Sequence, residues 1–79
     1  MNENITLDFL QPGEFAIVKK LKSVGSMRRR LLDIGLINDT VVECVGKSPA
    51  GDPTAYMIRG AVIAIRKEDC RDIFIEKIV

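Results

Sequence analysis

The stretch Ser26-Met27-Arg28-Arg29-Arg30-Leu31-Leu32-Asp33-Ile34-Gly35-Leu36 constrains this chain more than any other. It is the only segment that reads plainly as a helix; the residues beyond it alternate like strands. Ser26 can cap the amino end, because its hydroxyl can accept a hydrogen bond from an early unpaired backbone N–H. Gly35 can close the carboxyl end, where a helix stop often needs φ > 0. Met27, Leu31 and Ile34 share one face by i+4 and i+3 spacing, and Leu32 widens it. Leu36, just past the glycine, can pack back on the last turn.

Arg28, Arg29 and Arg30 cannot all join that apolar face, so at least two should meet solvent. They sit in the first turn, where the helix dipole is positive and each exposed cation costs roughly 0.3–1 kcal/mol. Asp33 is i+4 from Arg29 and i+3 from Arg30, so one carboxylate offsets part of this. The run reads either as a solvated face or as a contact site for an acidic or phosphate-bearing partner.

At 79 residues the chain fits one small domain, residues 1–79, with 1–4 loose. A domain this short buries only about 60% of the surface its unfolded chain exposes. The composition, 47% hydrophobic and 29% charged, is that of a globular protein. A net charge of +1 is no general magnet for nucleic acid or membrane surface, so electrostatic targeting must be local. Met1-Asn2-Glu3-Asn4 has neither a basic nor an apolar signal region, and no apolar run nears the roughly 18 residues of a membrane span. The expectation is a soluble cytoplasmic protein without direct membrane insertion.

Ile5, Leu7, Phe9 and Leu10 form an apolar lead-in, with Thr6 opening a turn or a single helical turn. Gln11-Pro12-Gly13-Glu14 is a tight turn. Phe15–Lys22 reads as the first strand. Asn38-Asp39 turns the chain back into Thr40–Val45, whose β-branched residues suit a strand. Two prolines and a glycine make residues 47–53 a loop. Thr54–Arg59 and Ala61–Arg66 form a hairpin about Gly60. Residues 67–72 suit a single helical turn, and Ile73–Val79 is a last strand. The fold class expected is mainly β: a small five-stranded barrel, with one helix inserted after the first strand. Closure removes edges that would otherwise pair with other chains.

Alternation places Val42, Cys44, Tyr56, Ile58, Ile63 and Ile65 inside, with Leu31, Ile34, Leu36, Ile73 and Ile75. The opposite side of the hairpin carries Ala55, Met57, Val62 and Ala64. An apolar outer face of this kind marks an interaction site, unless the amino-terminal segment or the 67–72 turn covers it. Self-association through it is compatible with the pattern.

Histidine is absent, which removes the commonest general base and the commonest metal ligand. Nothing therefore activates Ser23, Ser26, Ser48 or either cysteine as a nucleophile. Glu68, Asp69 and Asp72 share one polar turn and read as solvated surface. No phosphate-binding loop is present. Cys44 and Cys70 are not spaced as a metal knuckle and read as small buried hydrophobes. No enzyme activity, catalytic residue, metal ligand or cofactor is expected, and the sequence gives no support for weak iron(II) association at surface carboxylates.

Taken in order, Arg30-Leu31-Leu32-Asp33-Ile34-Gly35-Leu36, the Pro49-x-Gly51-Asp52-Pro53 loop, Gly60, Ala64 to Cys70 and Ile73-Phe74-Ile75-Glu76 resemble the FeoA family. The resemblance spans roughly residues 5–78. It implies an SH3-like barrel and a cytosolic accessory role in ferrous iron uptake, beside the permease FeoB with its GTP-binding domain. It carries over a scaffold: Ser26, Leu31, Leu32, Gly35, Leu36, Gly51, Asp52, Pro53 and Gly60. Asn38-Asp39 departs from the family's frequent Pro-Gly turn. The residues singled out for partner contact are Arg28, Arg29, Arg30, Met57, Val62 and Ala64. Two other functions compete: a free-standing repressor-type domain that binds a metal-dependent transcription factor, and a small nucleic-acid-binding barrel. Near-neutral charge and few aromatics oppose the latter.

Overall fold

The computed structural model describes residues 5–78, so the expected loose tail at 1–4 and the final Val79 lie outside the described residues. Six antiparallel strands form one sheet: β1 (Ile5–Thr6), β2 (Phe15–Leu21), β3 (Val41–Lys47), β4 (Thr54–Ile58), β5 (Ala61–Ile65) and β6 (Ile73–Ile78). Their spatial order is β1-β6-β2-β3-β4-β5. Two helices interrupt them, α1 (Gly25–Asp33) and the one-turn α2 (Lys67–Cys70).

The strand count corrects the five expected, and the sheet is not closed. The extra strand is β1, where Ile5 stands opposite Ile75 and Thr6 opposite Phe74. It ends after two residues because the chain enters a 3-10 turn at Leu7–Phe9, with Thr6 at the cap position. That turn sinks Leu7 and, just beyond it, Leu10 into the core and leaves Phe9 outside. β1 pairs with β6 and β5 with β4, and the two do not pair with each other, so β1 and β5 are the two edges. The internal helix therefore comes after the second strand, not the first.

In β2, Ala16 and Val18 point inward by ordinary alternation. A register shift between Val18 and Lys20 against β6 then adds one residue. The bulge changes the parity, so Leu21 rather than Lys20 reaches the core.

Helix α1 closes as the glycine pattern predicts. Gly35 has φ 93°. Leu36 N–H donates to the Leu31 carbonyl at 3.0 Å and Gly35 N–H to the Leu32 carbonyl at 3.0 Å. These two bonds define a Schellman closure, completed by buried Leu36 against buried Leu31. Thr40 reinforces it: its hydroxyl donates to the Gly35 carbonyl at 3.1 Å and accepts from the Ile37 N–H at 3.2 Å. The Asn38-Asp39 turn works because Asp39 takes a left-handed φ of 70°.

The amino end corrects the expected cap. Val24, not Ser26, holds the cap position, and no side chain caps the helix. Gly25 turns the chain in at φ 63°, which places Ser26 inside the first turn, where its hydroxyl cannot reach back to the free amides. Leu32 is a second correction. It is 39% exposed, because the apolar packing of this segment on the core runs through Met27, Leu31 and Ile34.

The core holds Val42, Cys44, Tyr56, Ile58, Ile65, Ile73 and Ile75 as the alternation requires, while Ile34 and Ile63 pack at its margin, half-buried. Tyr56 is 1% exposed; its hydroxyl donates to the Leu7 carbonyl at 3.3 Å and lies 3.4 Å from Cys70 Sγ. Burial pushes the Tyr56 hydroxyl well above its ordinary value and the Cys70 thiol up to about 11.

Candidate docking surface

The three arginines divide between two sides of α1. Arg28 Nη1 donates to the Leu21 carbonyl at 3.1 Å, which ties it to the end of β2. Arg28 and Arg29, with Gly25, Leu32 and Asp33, border a shallow depression. Arg30 instead lines a separate groove, with Met27, Leu31 and Ile34 facing Ile63 to Arg66, Pro53 and Asp69. The expected pairing of Asp33 with Arg29 or Arg30 does not form. The ion pairs among the described residues are Lys19–Asp39, Lys19–Glu76 and Lys77–Glu14.

On the hairpin, Met57 stands opposite Val62 and Ala55 opposite Ala64. Val62 is 57% exposed and Ala64 is exposed, while Met57 and Ala55 are half-buried. Neither the amino-terminal segment from residue 5 onward nor α2 covers Val62 and Ala64.

The apolar face extends further than the hairpin. Met57 pairs with Glu43, Glu43 with Phe15, and Phe15 with Ile78. Ile78, Phe15, Glu43, Met57 and Val62 therefore stand in one row across five strands. Phe15 is 44% exposed and Ile78 41%. Sequence reasoning stopped at the hairpin and missed Phe15 and Ile78; the missed signal was that alternation in β2 and β6 puts them opposite the core residues Ala16 and Ile75. Beside Phe15, Lys77 Nζ donates to Glu14 at 2.9 Å, and that bond holds the Glu14 carboxyl below its ordinary value.

The scaffold residues have distinct tasks. Gly51 at φ 87° closes a turn by donating to the Ser48 carbonyl at 2.8 Å. Asp52 reaches across the fold, where its Oδ1 accepts the Lys67 N–H at 2.8 Å. It thus supplies an acceptor to the first residue of α2, which no local side chain caps. Pro53 borders the Arg30 groove. Arg59 and Gly60, at φ 50° and 86°, make the two-residue β4–β5 turn. Arg66, which lines the Arg30 groove, is a residue that sequence reasoning did not single out.

Both thiols are buried, and burial raises the Cys44 pKa as it does that of Cys70. Among the described residues no three of Cys, Asp or Glu cluster so as to hold a metal ion. No helix among them is long and apolar enough to cross a membrane.

The family model for the FeoA domain matches residues 5–77. The chain belongs to the FeoA family. A FeoA-like protein from Clostridium acetobutylicum is 29% identical, with a TM-score of 0.90 over 100% of this chain and 92% of that one. FeoA of Stenotrophomonas maltophilia, solved with zinc and described as a prokaryotic SH3 domain protein, is 23% identical, with a TM-score of 0.80 over 90% of this chain and 88% of that one. The second likeness establishes the SH3-like fold, here with six strands in an unclosed sheet. A fusion of Fe(2+) transport protein A with the Fe(2+) transporter FeoB, from Porphyromonas gingivalis, is 29% identical over 72 residues. That match covers 91% of this chain and 8% of the fusion protein.

Proposed function

We propose that this FeoA-family chain is a cytosolic, non-catalytic accessory of ferrous iron uptake that acts by docking on a FeoB-type permease. The observation that carries the reading is the Porphyromonas gingivalis fusion, in which a FeoA-like segment and FeoB share one polypeptide. A covalent tether raises the effective concentration of one module at the other, often to the millimolar range. Such a tether favours contact between the two modules.

The outer row from Ile78 to Val62 supports docking, because its apolar side chains, Ile78 and Phe15 on one side of Glu43 and Met57 and Val62 on the other, are of the kind that forms the core of a protein contact. The Lys77–Glu14 pair beside Phe15 suits the rim, and Glu43 places one carboxylate within the row. A non-catalytic role agrees with the chemistry. The chain has no histidine, and both thiols are held protonated at neutral pH, where they are poor nucleophiles.

The test is an NMR titration of labelled protein with the soluble GTP-binding domain of the permease, with and without nucleotide. Shifts gathered on Phe15, Met57 and Val62, or on Arg28 and Arg29, are the expected result. No shifts at high micromolar partner would overturn docking on that domain.

A further inference from the structure

Strand β5 is an edge of the sheet and carries none of the usual protection. Its sequence, Ala61-Val62-Ile63-Ala64-Ile65, has no charge, no proline and no bulge. Natural edges are blunted by these devices because a bare edge templates another strand.

The turn decides which backbone groups are left free. With both Arg59 and Gly60 at positive φ, the connection is a two-residue type I′ turn. In that geometry the flanking pair, Ile58 and Ala61, exchanges both hydrogen bonds, and the pairs then alternate along the ladder. Tyr56–Ile63 and Thr54–Ile65 are bonded; Met57–Val62 and Ala55–Ala64 are not. The N–H and C=O groups of Val62 and Ala64 therefore point away from β4, toward the open edge. No hydrogen bond to any of the four is formed among the described residues.

The edge borders the groove between β5 and α1, of about 250 Å³. Met27, Leu31, Ile34, Ile63 and Ile65 make its walls apolar. Arg30 and Arg66 line it too, and neither guanidinium has an ion pair or hydrogen bond among the described residues. Asp69 is the one carboxylate in the lining, so a positive charge remains in excess.

We propose that the β5 edge and this groove bind an extended acidic peptide segment of a partner protein, added as a further strand. Free main-chain donors and acceptors on Val62 and Ala64 require an extended backbone. Alternation in such a strand sends every second side chain to the groove, where the walls require apolar residues. The unpartnered Arg30 and Arg66 at the groove favour carboxylates over ammonium groups along the segment. This inference does not rest on the permease reading; it uses the open backbone edge of β5 and shares Val62 with the Phe15–Val62 row.

The experiment uses the full chain, labelled for NMR, and two capped nonapeptides, one alternating valine with glutamate and one alternating valine with lysine. In the free protein the Val62 and Ala64 amides should exchange within about tenfold of the unstructured rate, and Ile63 far more slowly. The glutamate peptide should shift Met27, Arg30, Val62 and Ala64 and slow both edge amides at least about tenfold. The lysine peptide should not. Ala64→Pro removes an outward N–H at a position where an edge strand tolerates proline, and should abolish binding while the β4 amides keep their shifts. The surface variant Arg30→Glu/Arg66→Glu should reverse the peptide preference without unfolding.

Four results would overturn the proposal. One is protection of Val62 and Ala64 in the free monomer. The second is protection that rises with protein concentration, which would make a second copy the occupant. The third is equal binding of the two peptides, and the fourth is glutamate-peptide shifts confined to other faces or absent at millimolar peptide. Because Val62 and Ala64 bear on both readings, permease docking is judged by the Phe15 and Met57 shifts and peptide binding by those of Met27 and Arg30.

Discussion

The side chain of Arg59 lies across the α-carbon of Gly35, so that a Cβ at Gly35 would overlap Arg59 Cδ and sit 3.0 Å from its Nε. The hairpin turn is thus laid on the closure of α1, and the guanidinium sits at the helix end where the dipole favours a cation.

Gly35→Ala should therefore destabilise by two separable routes. The left-handed φ of 93° costs a Cβ-bearing residue about 1–2 kcal/mol, and displacing Arg59 adds to it. In a double-mutant cycle with Arg59→Ala, urea denaturation should show a coupling of at least about 0.5 kcal/mol, because only the second route is relieved. Strict additivity would mean that the two residues do not touch.

Adjacent leucines on α1 should behave oppositely. Leu31 is 2% exposed, so Leu31→Ala should cost about 2–5 kcal/mol. Leu32 is 39% exposed, so Leu32→Ala should cost about 0.5 kcal/mol or less. Comparable losses in thermal melts would refute the helix orientation.

Stability should fall in alkali. The folded state raises the Cys70 pKa from 9.0 to about 11 and raises that of Cys44 as well. The unfolded chain therefore loses these protons first. The stability they confer is full below about pH 9 and lost as pH climbs toward 11. For Cys70 the amount is of order 3 kcal/mol, at about 1.4 kcal/mol for each pKa unit. Tyr56, raised in the same direction, extends the loss above pH 10. Urea midpoints measured from pH 7 to 11 should show this slope, and Cys70→Ala should flatten it between pH 9 and 10 by about one proton.

Asp52→Ala should cost about 0.5–2 kcal/mol, the range for a lost helix-start acceptor. Amide exchange should locate the effect at Lys67–Cys70 rather than at the loop that carries the mutation. A loss confined to residues 48–54 would show that the 2.8 Å bond to Lys67 N–H does not support α2.

The elements of this fold that rest on local chemistry were legible in the sequence. The Gly35–Leu36 closure comes from glycine's access to positive φ, and the strand positions from period-two alternation. The buried cysteines are set by the face on which they fall. Half of the candidate surface was legible in the same way, since Val62 and Ala64 lie opposite residues that must be inside.

The remainder was decided by contacts between segments distant in the chain. Ile5 pairs with Ile75, a strand of two residues that no propensity could announce. Asp52 serves a helix fifteen residues away. A bulge after Val18 exchanged Leu21 for Lys20 in the core. The open edge at β5 and the separation of Arg30 from Arg28 and Arg29 depend on how α1 settles on the sheet. Sequence patterning specifies which face of an element is apolar; the angle and register at which two such faces meet are set by packing across the chain, and there the surface of this protein was made.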